Sequence, residues 1–100
     1  MVGELAIDYG QRRVTLGDEA VELTATEYEL LRVLSLDAGR VVTFETLLRR
    51  VWPKRESADA NLVRIFVTHL RRKLGDNAAS PAYIFNHRGA GYRMAKPPDR

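Results

Sequence analysis

The segment from Ala60 to Leu74 concentrates side chains that bind bases and phosphates, and it contains no Asp or Glu. Successive helical residues are rotated by about 100°, so the polar side chains of this segment share an arc of about 100° opposite the apolar ones. The polar arc contains Asn61, Arg64, Ile65, Thr68 and Arg72, with Arg71 and His69 at its margins. A helix face that is merely solvated usually mixes charges of both signs, because oppositely charged neighbours stabilise the helix. The segment therefore predicts a helix with a purely basic, hydrogen-bonding face.

The residue types on this face fit the major groove of DNA, which admits one α-helix and presents acceptors on guanine and a methyl group on thymine. Arg64 is suited to guanine, and Asn61 to adenine or to a phosphate. Ile65 is suited to a thymine methyl, because an apolar side chain within a basic face gains nothing from water; the alternative is that it packs under the neighbouring loop. Phosphate contacts, which position a helix without specifying sequence, are predicted for Arg71, Arg72 and Lys73.

Another arginine, Arg88, lies in the glycine-bearing segment 87–91 between the β-rich runs 82–86 and 92–94. Glycines at positions 89 and 91 supply turn conformations that other residues rarely adopt, so this region predicts a terminal hairpin with Arg88 at its tip. Arginine is favoured in narrow minor grooves of DNA. Arg88 is thus a candidate for the minor groove, and simple exposure to solvent is the alternative.

Nothing in the sequence indicates catalysis. His69 and His87 are the only histidines, there is no cysteine, and no helix carries a metal-binding His-Glu-x-x-His pattern. The run 89–91 lacks the third glycine of a dinucleotide-binding loop. His69 is interpreted as groove-facing or solvated, and His87 as a hairpin residue. We expect no catalytic residue, no metal and no cofactor.

The surrounding pattern predicts an α+β fold that positions these residues. Thr24 and Glu27 have the spacing of a capping box, so a helix should begin at residue 25. Gly39 should close that helix, and Thr43 should cap another. The predicted elements are a three-stranded antiparallel meander within residues 1–23, a three-helix core within 24–74 (helices over 25–36, from Phe44 to Pro53, and over 60–74), a very short strand at 41–42, the hairpin 82–95 and a flexible tail 96–100.

Length and charge agree with this assignment. One hundred residues are the size of one domain, predicted here over 1–95. The formal net charge is +3, but residues 1–50 contribute −3 and residues 51–100 contribute +6. This uneven distribution is typical of a nucleic-acid-binding protein. The lack of cysteine and of any long apolar run favours a cytoplasmic protein without a membrane segment.

The ordered motifs resemble the winged helix-turn-helix effector domain of two-component response regulators of the OmpR/PhoB type. The residues that carry the resemblance are Leu23-Thr24, Glu27, Leu30-Leu31, Gly39, Val42-Thr43, Leu47, Val51-Trp52, Val63, the run Leu70-Arg71-Arg72-Lys73-Leu74, Ile84 and the run Arg88-Gly89-Ala90-Gly91-Tyr92. Where the family commonly has Val-Asp-Val-His, this chain has Val63-Arg64-Ile65-Phe66. The stretch 62–74 looks more like the potassium-transport (Kdp) regulators than the phosphate regulators.

The resemblance implies that helix 60–74 is the recognition helix and the hairpin is the wing. It assigns base- or groove-facing positions to Arg64, Ile65, Thr68 and His69, backbone contacts to Trp52, Asn61 and Arg71, and the wing arginine to Arg88. It further implies a monomer that forms tandem dimers on direct repeats of double-stranded DNA, contact with RNA polymerase through loop 53–59, and an N-terminal receiver domain that these residues do not include. The alternative is a winged-helix interaction module that binds an acidic partner with the same face.

Overall fold

The N-terminal residues form an antiparallel sheet in the order β1-β2-β3. The structure, a computed structural model, describes residues 4–54 and 58–96. The strands are β1 (Leu5–Asp8), β2 (Arg13–Leu16) and β3 (Glu19–Val21). Leu5 pairs with Leu16, and Val14 pairs with Val21. The period of two in side-chain direction buries Leu5 and Val14 against the helices. The predicted meander is confirmed, with its last strand two residues shorter than expected.

Helix α1 (Ala25–Leu36) begins with the predicted capping box. The Glu27 amide donates to Thr24 Oγ1 (3.1 Å), and the Thr24 amide donates to Glu27 Oε1 (2.9 Å). The helix ends at Asp37, so the prediction that Gly39 closes it is wrong. Gly39 has a φ of 89° and donates its amide to Met94 O at 2.8 Å. This glycine therefore directs the chain towards the C-terminal sheet.

Helices α2 (Phe44–Val51) and α3 (Ala60–Leu74) also begin at side-chain caps. Thr43 Oγ1 accepts the Thr46 amide at 3.1 Å, and Asp59 Oδ1 accepts two amides at the start of α3, at 3.0 and 3.3 Å. Helix α3 ends at Gly75, whose left-handed conformation (φ 68°) is one that glycine adopts without strain. Helices α1 and α3 have the predicted bounds, whereas α2, predicted to run from Phe44 to Pro53, ends at Val51. Among the described residues, no helix is long and apolar enough to cross a membrane.

The predicted hairpin is part of a larger sheet with the order β4-β6-β5. Its strands are β4 (Val41–Thr43), β5 (Ile84–His87) and β6 (Gly91–Met94). The strand predicted at 41–42 thus pairs with β6, which the sequence did not indicate. Gly89 has the expected positive φ of 77°, whereas Gly91 has no positive φ and is required because a Cβ there would lie 2.0 Å from Val42 O.

The core lies between the three helices and the inner faces of both sheets. Its fully buried side chains are Leu5, Leu30, Leu31, Leu34, Leu47, Leu70, Ile84, Met94, Val33, Val63 and Val67. Helices α1 and α2 pack against the buried side of α3, and strand β6 packs against α1. These contacts hold α3 in place. The predicted α+β architecture is confirmed, and the opposite side of α3 is left to solvent.

Candidate nucleic-acid interface

The outer face of α3 is an exposed surface that carries no carboxylate. The helix buries Val63, Val67, Leu70 and Leu74, and it exposes Asn61, Arg64, Ile65, Thr68, His69 and Arg72. Ile65 remains 43% exposed, which argues against its packing beneath the neighbouring loop. The structure thus brings together six of the residues that the sequence selected, on one side of one helix.

Arg64 and Thr68 are held locally on this face. The Arg64 guanidinium carbon lies 5.1 Å from the centroid of the Phe44 ring. The Thr68 hydroxyl donates to the Arg64 carbonyl at 2.9 Å, so its oxygen still has a lone pair to accept a hydrogen bond. The His69 ring lies 6.0 Å from the Phe66 ring and is exposed.

Arg71 joins α3 to the C-terminal sheet. Its Nη2 donates to Ile84 O at 2.7 Å, and its guanidinium carbon lies 5.8 Å from the centroid of the Tyr92 ring. Its Nε is buried and has no partner among the described residues. Burial raises the pKa of the Tyr92 phenol, and the nearby charges of Arg71 and Arg64 partly offset that rise. Arg71 therefore connects α3 to the wing, which was not predicted from the sequence.

Two residues predicted to contact the DNA backbone also contact other parts of the domain. Lys73 Nζ lies 2.6 Å from Glu27 Oε1, which ties the end of α3 to the start of α1. The Lys73 side chain nevertheless remains 38% exposed. Trp52 is only 9% exposed and packs edge-on against Phe66, with ring centroids 5.2 Å apart. Its main contact is thus with the inner side of α3.

The Glu27–Lys73 pair predicts a pH-dependent contribution to stability. Burial raises the pKa of Glu27, but hydrogen bonds from Lys73 and Thr24 outweigh it and hold the pKa below its usual value of 4.5. We expect Glu27→Gln to lower the free energy of unfolding by about 1–2 kcal/mol near neutral pH, since a charge-assisted hydrogen bond is lost. A carboxylate with a depressed pKa stabilises above its unfolded-state pKa and loses that effect as the pH falls. The difference between variant and wild type should therefore shrink below about pH 4.5.

Urea unfolding followed by the fluorescence of Trp52, the only tryptophan, measures this difference. Glu29→Gln is the matched control: Glu29 pairs with Arg32 on the surface of the same helix, so its loss should cost at most about 0.5 kcal/mol. A difference for Glu27→Gln that is the same at about pH 6 and about pH 3 would contradict the assignment.

The wing carries Arg88 at its exposed turn, as predicted. The Ala90 amide donates to His87 O at 2.9 Å and closes the turn. His87 Nε2 accepts from Arg93 Nε at 3.1 Å, and the Arg93 guanidinium lies over the Phe85 ring at 4.5 Å. His87 and Arg93 therefore support the base of the hairpin, and Arg88 extends beyond it.

Asp76 fixes the segment that enters the wing. It follows the glycine that ends α3, and its carboxylate accepts backbone amides at distances from 2.7 to 3.3 Å. The donors are the amides of Asn77, Ala82, Tyr83 and Ile84. Thr68, Arg71, Arg72, Asp76 and Ala78 line an open cavity of about 310 Å³ beside this junction. Arg72 therefore lies where α3 meets the segment that leads into the wing.

Three residues that organise this surface were not predicted from the sequence. Asp59 and Asp76 were findable, because an aspartate just before a helix or just after its terminal glycine commonly bonds nearby backbone amides. Phe44 was correctly placed on the apolar face of α2, but no pattern within α2 or α3 indicates that its ring lies beneath Arg64.

An exposed basic helix, preceded by a second helix and followed by a hairpin that forms a sheet with the strand before that second helix, defines a winged helix-turn-helix domain of the DNA-binding class. The protein-family model described as "Transcriptional regulatory protein, C terminal" matches residues 17–94. The chain belongs to this family, as a C-terminal DNA-binding effector domain of the OmpR/PhoB-type response regulators. This membership confirms the resemblance and the prediction that this domain is a DNA-binding regulatory domain and not an enzyme.

Individual relatives support the same assignment. The chain is 37% identical over 91 residues to the KDP operon transcriptional regulatory protein KdpE of Escherichia coli, covering 91% of this chain and 40% of the relative. It is 35% identical to the alkaline phosphatase synthesis regulator PhoP of Bacillus subtilis, covering 97% and 40%. The chain thus spans about 40% of the length of these curated relatives.

Solved structures agree with the fold. The DNA-binding domain of RstA from Klebsiella pneumoniae, solved in complex with the RstA box, superposes with a TM-score of 0.85 at 33% identity. That match covers 95% of this chain and 94% of the RstA chain. The DNA-binding domain of CpxR from E. coli gives a TM-score of 0.82 at 31% identity, with 98% and 96% covered.

Proposed function

We propose that this domain binds double-stranded DNA in a sequence-specific manner, with α3 in the major groove and the Arg88 wing in or near the minor groove. The observation that supports this most directly is the exposed, acid-free face of α3, where Arg64 and Ile65 stand side by side. A cation in the middle of such a face binds guanine acceptors, and an apolar neighbour contacts a thymine methyl. The similarity to the RstA domain solved with its RstA box supports the same use of the fold.

The proposed roles follow from where the structure leaves each side chain. Base contacts are assigned to Arg64, Ile65, Thr68 and His69, and backbone contacts to Asn61 and Arg72. Arg71 is proposed to contact the phosphate backbone through the guanidinium N–H groups that are not bonded to Ile84 O. Trp52 supports α3 through Phe66 and is proposed to offer the phosphate backbone no more than its small exposed edge. Lys73 is also proposed to contact a phosphate, because its side chain is 38% exposed and its ammonium group has donors beyond the one bonded to Glu27.

The remaining roles concern the longer protein. The relatives exceed this chain in length by more than twofold, and we propose that the domain operates beside an N-terminal receiver domain in a cytoplasmic response regulator. Alone it is proposed to be a monomer, and on direct repeats a tandem dimer. Loop 53–59 is proposed to contact RNA polymerase; its residues 55–57 lie outside the described residues.

Selection of bound sequences from a random duplex pool tests the proposal, followed by salt titration of variants on the selected duplex. Arg72→Ala should weaken binding to all duplexes alike and reduce the log–log salt slope by about 1, because one phosphate contact is lost. Arg64→Ala and Ile65→Ala should instead relax preference at one or two base pairs, each worth about 1–3 kcal/mol.

Arg13→Ala is the matched control, since it removes the same charge from an exposed position in the N-terminal sheet. It should leave both the preference and the salt slope nearly unchanged. Wild-type binding that is equal for selected and scrambled duplexes would overturn the proposal. Preferential binding to an acidic protein with no selected duplex would favour the interaction-module alternative.

A further inference from the structure

We propose that Phe44 is a specificity-determining positioning residue that holds the Arg64 guanidinium in place for base recognition. This inference rests on the proposed function, because it concerns how one base-reading side chain is oriented. Arg64 is exposed on α3, and its guanidinium carbon lies 5.1 Å from the centroid of the Phe44 ring. Among the described residues, Arg64 has no carboxylate partner within salt-bridge distance. The aromatic ring is therefore the group that fixes the position of this cation.

Phe44 is itself held on two sides, so it is a rigid support. Its backbone amide donates to Ala90 O in the wing turn at 3.1 Å. Its ring meets Tyr92 edge-on, with centroids 5.7 Å apart and an interplanar angle of 86°. Phe44 is also the first residue of α2, directly after the Thr43 cap. Arg64 thus lies on a ring that is fixed by the wing turn and by β6.

The Phe44 ring also connects the two proposed DNA-binding elements. Arg64 contacts Phe44, Phe44 contacts Tyr92, and Tyr92 contacts Arg71, which belongs to the last turn of α3. A cation lies at each end of this chain of contacts and two rings lie between them, and each cation–ring distance lies within the roughly 6 Å range of a favourable interaction. The position of Arg64 therefore depends on the position of the wing.

A contact with a ring suits an arginine that reads a base. A free arginine side chain samples many rotamers, and ordering it on a base opposes binding through lost entropy. A cation–π contact uses the charge of the guanidinium and none of its N–H donors as hydrogen-bond partners, so these donors remain available for the O6 and N7 acceptors of guanine. Pre-positioning strengthens binding only where the base accepts both donors, so it acts on discrimination more than on general affinity.

The test measures the affinities of four proteins for two duplexes. The proteins are wild type, Phe44→Leu, Arg64→Ala and the double variant. One duplex is the selected sequence, and the other is altered at the base pair where Arg64→Ala relaxes the preference. We expect Phe44→Leu to reduce discrimination between these duplexes by about two- to fivefold, the range set by an exposed cation–π contact. In the Arg64→Ala background the same change should have no further effect on discrimination, since the two residues act together. Phe44→Tyr retains a ring and should preserve discrimination.

Thermal unfolding of each variant accompanies the binding series, because a merely structural role of Phe44 would lower stability and weaken both duplexes equally. Equal weakening on both duplexes, or an undiminished effect of Phe44→Leu without Arg64, overturns this inference and leaves the proposed function intact. Failure of the wild type to prefer the selected duplex overturns the proposed function, and this inference with it.

Discussion

Asp76→Ala is expected to lower the free energy of unfolding by about 3 kcal/mol, because one carboxylate satisfies several backbone amides at once. Its oxygens accept from the amides of Ala82 and Ile84 at 2.7 and 2.9 Å, and from two further amides at up to 3.3 Å. Ile84 is fully buried, so water cannot easily replace the lost acceptor at its amide. The loss should be read as a shift in the urea midpoint with an unchanged slope.

Asp37→Ala provides the comparison for Asp76→Ala. Asp37 makes an exposed ion pair with Arg50 at 3.8 Å, and such pairs contribute at most about 1 kcal/mol. Amide hydrogen exchange would locate the effect: protection at residues 82–84 should fall in Asp76→Ala more than protection within α1. An Asp76→Ala protein as stable as Asp37→Ala would show that these amides find other partners, contrary to the role assigned here.

Gly91→Ala is expected to be more damaging still, with a loss of about 3 kcal/mol or more. The new Cβ would lie 2.0 Å from Val42 O and 2.8 Å from Thr43 Cα, both backbone atoms of β4. Backbone in a paired strand cannot retreat without breaking its ladder, and β4 has β6 as its neighbour in the described sheet. For a domain of this size the melting temperature should fall by at least about 12 °C.

Gly89→Ala separates steric overlap from backbone strain in the same turn. A Cβ at position 89 has nothing within 4 Å, but the φ of 77° disfavours any side chain. Its cost should therefore be about 1–2 kcal/mol, and its melting temperature should lie between those of wild type and Gly91→Ala. If calorimetry gave the two alanine variants equal melting temperatures, the close approach of β6 to β4 would not be what requires Gly91.

The bounds of α1 and α3 and the start of α2 were predictable because their signals are local. The Thr24 capping box, the Gly75 terminus and the periodic apolar face of α3 each lie within a few residues of the feature that they determine. The exposed face of α3 was predictable for the same reason, since helical periodicity alone separates its buried residues from the others.

The features that escaped prediction join residues distant in sequence. Lys73 pairs with Glu27 across 46 positions, and Arg71 reaches Ile84 in a different element. Periodicity assigns a side chain to a face but not to a partner, so both cations were predicted to meet phosphates. The position of Gly39 shows the same limit: its conformation is fixed by β6, through Met94, and not by the helix that precedes it.

The junction formed by Arg71 and Asp76 has a further consequence for self-association. Strand β5 is one of the two outer strands of the described C-terminal sheet, and an unpaired strand edge is a template for strands of other chains. At Ile84 both backbone groups on that edge are occupied, the amide by Asp76 at 2.9 Å and the carbonyl by Arg71 at 2.7 Å. The two side chains that join α3 to the wing therefore also oppose edge-to-edge aggregation where β5 begins.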